Sequence, residues 1–183
     1  MTEEEKLNIF LCGFMATGKS SVGKQLAAAL HWEFLDMDAL IESEAGTSIS
    51  EIFSSRGEAA FRVMEARMVE RLAERTGCVI ATGGGAIVQQ ENLKIMKRCG
   101  VVITLAADIQ TILERSGKAD TRPLLQTTDR LERIRTLMEQ RAPLYAQADI
   151  VLDTSSLAID EIVTILVDRL QKISHRLPGF HIS

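Results

Sequence analysis

The sequence predicts an α/β chain with a parallel sheet and helices on both faces, and three observations carry that prediction. Short aliphatic runs alternate with helical patterns through the whole length. The runs are apolar at consecutive positions, as strands buried on both faces require. Directly after the first run, Gly13 to Ser20 read Gly-Phe-Met-Ala-Thr-Gly-Lys-Ser, a GxxxxGKS loop set between a strand and a helix.

The first strand is expected at 8–12, where Ile9, Phe10, Leu11 and Cys12 continue the apolar run begun at Leu7. The glycines that follow let the backbone curl so that its N–H groups face a phosphate, and the helix expected at 19–30 adds the positive end of its dipole. Lys19 then supplies a point charge for the β and γ phosphates and Ser20 a hydroxyl for Mg²⁺. A merely structural turn is the alternative, but a strand before and a helix after favour a bound nucleoside triphosphate. Further strands are expected at 32–35, 78–81, 101–105 and 150–152, enough for a five-stranded sheet in a three-layer sandwich. Helices are expected at 37–44, 49–54, 58–75, 92–97, 109–115, 131–141 and 157–173. Ser48 with Glu51 three residues on fits a capping box at the start of the third helix. In the last helix Ile159, Ile162, Val163, Leu166, Leu170 and Ile173 form one stripe at the helical period and are assigned to the core.

Residues 116–129 have no apolar period and hold Gly117, Lys118, Asp120, Arg122, Pro123 and Asp129. A loop of that length in a compact domain is either an active-site lid or a solvated connection. Residues 174–183, with Pro178 and Gly179, read as a flexible tail.

At 183 residues and 46% hydrophobic content the chain is expected to form one domain, 1–183, with a single site. Its net charge of −4 is spread along the chain, so nucleic acid and anionic membranes are not expected partners. Cys12, Cys78 and Cys99 are odd in number and far apart, and two sit in apolar runs, so reduced, buried thiols in a cytoplasmic protein are expected. Without a CxxC or Cys/His pairing, zinc is not expected. The first residues are acidic and the apolar stretch after them is short, unlike a signal peptide or membrane span.

In open parallel sheets ligands sit beyond the carboxyl ends of strands, so residues that directly follow a strand are the candidates for chemistry. Asp36 and Asp38 follow the second expected strand. An extended backbone would point them the same way, and a helix starting between them would split their directions. One suits a magnesium role and one an N-cap. Thr82, Gly83, Gly84 and Gly85 follow the third strand, where the glycines make either a tight turn or a close wall for a ligand. Arg62, Arg67, Arg122 and Arg141 cannot be ranked by composition. No Gly-x-Ser-x-Gly elbow occurs and the histidines have no companions in a recognisable motif, so a hydrolase triad is not expected.

The phosphate loop, Phe-Leu-Asp-Met-Asp at 34–38, Gly-Glu-x-x-Phe-Arg at 57–62, Thr-Gly-Gly-Gly at 82–85, Arg-Pro-Leu-Leu at 122–125 and Arg-x-x-x-Tyr at 141–145 together resemble the shikimate kinases, in order and in spacing, from about residue 8 to 170. The resemblance implies the P-loop kinase fold of the nucleoside monophosphate kinase type. It also implies transfer of the ATP γ-phosphoryl group to the 3-hydroxyl of shikimate, in aromatic amino-acid biosynthesis; a monomer is expected. ATP would be held by Gly13, Ala16, Thr17, Gly18, Lys19, Ser20 and Ser21 with Arg115 and Arg122, and Mg²⁺ by Ser20 and, through water, Asp36. Shikimate would be held by Asp38, Arg62, Gly83, Gly84, Gly85 and Arg141. Lys19, Asp38 and Arg122 would be catalytic, Arg122 as the lid arginine. Ala16 stands where many relatives have glycine and is acceptable only if that position has a negative φ; Thr121 stands where asparagine is frequent. A gluconate kinase or nucleotide kinase would share the loop but not this arginine set. A noncatalytic switch would not need Asp38, Arg62 and Arg122 together.

Overall fold

The computed structural model describes residues 7–116 and 130–174. Arg122, Thr121, most of the candidate lid and the tail from residue 175 lie outside the described residues. Five parallel strands, β1 (Asn8–Cys12), β2 (Glu33–Asp36), β3 (Cys78–Ala81), β4 (Gly100–Ala106) and β5 (Ile150–Asp153), form one sheet in the order β2-β3-β1-β4-β5. The helices are α1 (Lys19–Leu30), α2 (Met37–Ala45), α3 (Ile49–Ala73), α4 (Gln90–Cys99), α5 (Ile109–Ser116), α6 (Arg130–Tyr145) and α7 (Ile159–Ser174).

The period-two alternation of β1 divides the core. Ile9 and Leu11 face the layer that holds α1 and α7, with Val22, Leu26, Ile162, Leu166 and Leu170. Phe10 and Cys12 face α2, α3 and α4, with Met37, Ile52, Met68 and Met96. A third apolar cluster, Phe14, Met15, Ile112, Ile134 and Leu137, joins the phosphate loop to α5 and α6. Buried Asn8 is satisfied from two sides: its amide donates to the Arg75 carbonyl at 2.6 Å and its oxygen accepts from Cys78 N–H at 3.1 Å.

Several expectations change at the sheet edges and helix ends. β2 starts at Glu33 rather than Trp32 and is exposed to half-buried, and β5 alternates buried with exposed residues. Both lie at edges, so neither is apolar on both faces. The two helices expected at 49–54 and 58–75 form one element kinked at Gly57, whose φ of 80° and ψ of 169° are non-helical. α6 continues past Arg141 to Tyr145, with Pro143 in its last turns. Ile159, expected in the core, is 37% exposed at the start of α7. Ser116 and Ser174, expected in the candidate lid and the tail, end helices instead. Residues 86–88, given no element from sequence, form a short 3₁₀ turn after the triple glycine.

Candidate functional site

Because the strands are parallel, their carboxyl ends emerge along one edge, and two adjoining cavities open there. The smaller, about 390 Å³, is lined by Ala16, Gly18, Lys19, Ser20, Ser21 and Asp36 among others. It lies at the N-terminus of α1, where backbone donors and the helix dipole favour an anion. Lys19 spans the loop, its ammonium donating to the Gly13 and Phe14 carbonyls at 3.0 and 2.8 Å. Ala16 has a φ of 59°. This overturns the expected negative φ: the turn from β1 into α1 imposes a left-handed residue, and alanine adopts it at a steric cost.

Of the two aspartates, Asp36 is the N-cap of α2. Its Oδ1 caps α2 by accepting the N–H groups of Asp38 and Ala39 at 3.2 and 3.4 Å, and its Oδ2 accepts the Ser20 hydroxyl at 2.7 Å. α2 begins between Asp36 and Asp38 and separates them: Asp36 lines the smaller cavity alone, Asp38 lines both. The Ser20–Asp36 pair offers hard oxygen donors of the kind Mg²⁺ takes while keeping waters and phosphate oxygens. Among the described residues no group of three His, Cys, Asp or Glu could hold a metal alone, and the donors present fit an ion shared with a bound phosphate.

The larger cavity, about 530 Å³, lies against the triple glycine and is lined by Asp38, Phe61, Arg62, Glu65 and Arg141 among others. The Gly57 kink turns the second part of α3 so that Arg62 packs against Gly85. A Cβ on Gly85 would come within 2.1 Å of Arg62 Nη1. Gly83 is equally constrained, since a Cβ there would meet Glu65 Oε1 at 2.7 Å and Asp38 Oδ1 at 2.8 Å. From α6, Arg141 Nη1 and the Tyr145 hydroxyl both donate to the Gly84 carbonyl, at 3.1 and 2.7 Å. The extra turn of α6 makes this possible by placing the two side chains four residues apart on one face. Each glycine therefore forms wall, and the segment also turns, Ala86 N–H donating to the Gly83 carbonyl at 3.1 Å.

Arg62 is clamped by two carboxylates. Its Nη2 bonds exposed Glu58 at 2.9 Å and its Nη1 bonds Glu65 at 2.7 Å. Glu65 is fully buried, and its second oxygen makes no hydrogen bond. Burial pushes its carboxyl above the usual range, and the Arg62 charge opposes that rise. Burial also lifts the Tyr145 phenol to about 12 and the Cys12 thiol to about 11, so both stay protonated at neutral pH.

Lys19, Ser20, Ser21, Asp36, Asp38, Arg62, the three glycines and Arg141 thus meet around the two cavities. Gly13 and Thr17 are buried within the loop and line neither cavity; the Thr17 hydroxyl donates to the Phe14 carbonyl at 2.8 Å. Arg115 lies to one side, donating to the Thr154 carbonyl at 2.9 Å. Arg67 is exposed and lines neither cavity. Sequence reasoning missed Glu65, Glu42 and the Tyr145 hydroxyl. Glu65 had one available signal, a carboxylate three residues after Arg62 on the same helical face.

The sequence matches the family described as Shikimate kinase over residues 15–171. It is 42% identical over 168 residues to a shikimate kinase of Thermodesulfovibrio yellowstonii, covering 92% of this chain and 97% of the relative. A shikimate kinase of Caldanaerobacter subterraneus is 41% identical over 169 residues, covering 92% and 99%. Among solved structures, shikimate kinase from Acinetobacter baumannii in complex with shikimate superposes with a TM-score of 0.89 at 36% identity, covering 92% of this chain and 95% of that one.

Proposed function

The chain belongs to the shikimate kinase family, and we propose from this that it transfers the γ-phosphoryl group of ATP to the 3-hydroxyl of shikimate, releasing ADP and shikimate 3-phosphate. The observation that carries the reading is the shared wall. Asp38 and Gly84 line both cavities, so an acceptor in the larger one meets a phosphate donor in the smaller one.

In the larger cavity Arg62 and Arg141 supply planar forked donors for a carboxylate, and Asp38 accepts hydrogen bonds from ring hydroxyls. The acceptor oxygen attacks the γ-phosphorus, the bond to the β-phosphate oxygen breaks, and Asp38 takes the hydroxyl proton. Phosphoryl transfer passes through a loose transition state, so positioning and charge neutralisation matter more than a strong base. Lys19 is assigned to the β and γ oxygens and the α1 N-terminus to the phosphates behind them. Ser20, and Asp36 through water, would hold Mg²⁺, which supplies charge neutralisation on the transferring phosphates. Arg115 is assigned to the adenine side and Arg122 to the transferring group. The free thiols of Cys12, Cys78 and Cys99 support a reducing, cytoplasmic setting.

The test is ADP release from Mg-ATP with shikimate, gluconate or AMP as acceptor. Stimulation by shikimate alone is expected; stimulation by gluconate or AMP instead would reassign the larger cavity.

A further inference from the structure

Glu42 has no part in the chemistry just described, yet it occupies the corner where that chemistry meets. It lies four residues after Asp38 on α2, on the same helical face, and lines both cavities. Its Oε1 accepts the backbone N–H of Ile49 at 2.8 Å. Ile49 opens α3, and with Ser50 and Phe53 it walls the larger cavity.

The first N–H groups of a helix have no partner inside it. At α3 two of them, those of Ile49 and Glu51, are satisfied from two directions. Ser48 caps locally, its hydroxyl oxygen accepting from Glu51 N–H at 3.2 Å. Glu42 caps from a different helix, across the turn at Gly46, with a carboxylate placed favourably for the α3 dipole. The local cap fixes where α3 begins. The second fixes where that beginning stands relative to α2 and Asp38.

We propose that Glu42 is a positioning residue: by capping Ile49 it holds the first turn of α3 against α2, so that one wall of the acceptor cavity is formed before the acceptor arrives. The proposal rests on the larger cavity being the acceptor site. Without this bond the wall must be ordered during binding, and the acceptor's apparent affinity falls by the fraction of chains in which it is already ordered. Loss of a helix cap corresponds to about a fivefold change. The α3 wall formed by Ile49, Ser50 and Phe53 lines the larger cavity and not the smaller, so nucleotide affinity is spared.

Three variants separate reach from charge. Glu42→Ala removes the acceptor atom, Glu42→Asp keeps the charge but is one methylene short, and Glu42→Gln keeps an oxygen at full reach without the charge. The expected result is that KM for shikimate rises about fivefold in Glu42→Ala and Glu42→Asp. Glu42→Gln returns to within about twofold of wild type, KM for Mg-ATP stays within about twofold throughout, and the loss falls on KM more than on kcat. Amide hydrogen exchange at Ile49 reads the bond directly, protected in wild type and Glu42→Gln and unprotected in the other two. The proposal is overturned if Glu42→Asp behaves as wild type while Glu42→Gln behaves as Glu42→Ala, if both KM values rise together, or if Ile49 protection survives in Glu42→Ala. A wild-type chain that does not turn over shikimate would refute the acceptor reading, and the exchange measurement would still decide the cap.

Discussion

At the residue scale the site is governed by two unfavourable placements. Ala16 holds a φ of 59° within the phosphate loop, where an L-residue with a Cβ is disfavoured by roughly 1–2 kcal/mol relative to right-handed backbone. Glycine does not meet that cost, so Ala16→Gly is expected to stabilise the fold by about 1 kcal/mol. Urea titration would show this as a higher midpoint at unchanged slope, and a lower midpoint would contradict it. The other placement is Glu65, whose carboxyl pKa burial raises in the folded chain. Between the unfolded value, about 4.3, and the raised folded one, the folded chain keeps a proton that the unfolded chain releases. The stability this group contributes is therefore complete below the unfolded value and is lost as pH rises through the folded one. Glu65→Gln cannot titrate, so stability of the wild type should decline relative to the variant as pH increases from about 4.3 toward neutral. Parallel stability curves for the two proteins would remove burial as the controlling effect at Glu65.

At the scale of elements, α3 does the most positioning, and its kink decides where Arg62 points. Gly57 combines a φ of 80° with a ψ of 169°, a region essentially restricted to glycine. A Cβ there would meet nothing within 4 Å, so Gly57→Ala tests backbone strain without a steric clash. It is expected to cost about 1–3 kcal/mol in stability and to raise KM for shikimate, because Arg62 lies five residues beyond the bend; wild-type values for both would show that the kink is incidental. Sequence could not disclose this bend, although it left residues 55–57 between two helical patterns. β1 and β3 were legible because both their faces are covered, which leaves an unbroken apolar run. β2 and β5 were read as equally buried because edge position follows from strand order, a property of the whole sheet with no local signature. The C-terminal turn of α6 was hidden by Pro143, which reads as a stop signal but here sits in the last turns. The acidic pair at 36 and 38 was legible as a candidate pair beyond a strand end, and how the two are separated needed only the position at which α2 begins. Glu65 was not singled out, since a glutamate in a charged helix reads as solvated unless the sheet it packs against is known.

At the scale of the whole molecule, the parallel sheet gathers both cavities on one edge, where they share Asp38, Glu42 and Gly84 and are otherwise lined by different residues. The smaller cavity is lined by the phosphate loop, the start of α1 and α2, and the larger draws Arg62 from α3 and Arg141 from α6. A ligand that binds only the folded chain stabilises it by mass action, by about 2.7 kcal/mol at one hundred times its Kd. For a chain of this size that is a rise of about 5–10 °C in Tm. Shikimate and ADP should each produce such a rise in the wild type. In Arg141→Ala the shikimate shift should fall below about 2 °C, because half of the carboxylate grip is gone, while the ADP shift should persist. The retained ADP response separates loss of one cavity from loss of the fold, since an unfolded or loosened chain would respond to neither ligand. Equal loss of both shifts would mean that Arg141 supports the sheet edge as a whole, and an undiminished shikimate shift would place the acid away from α6.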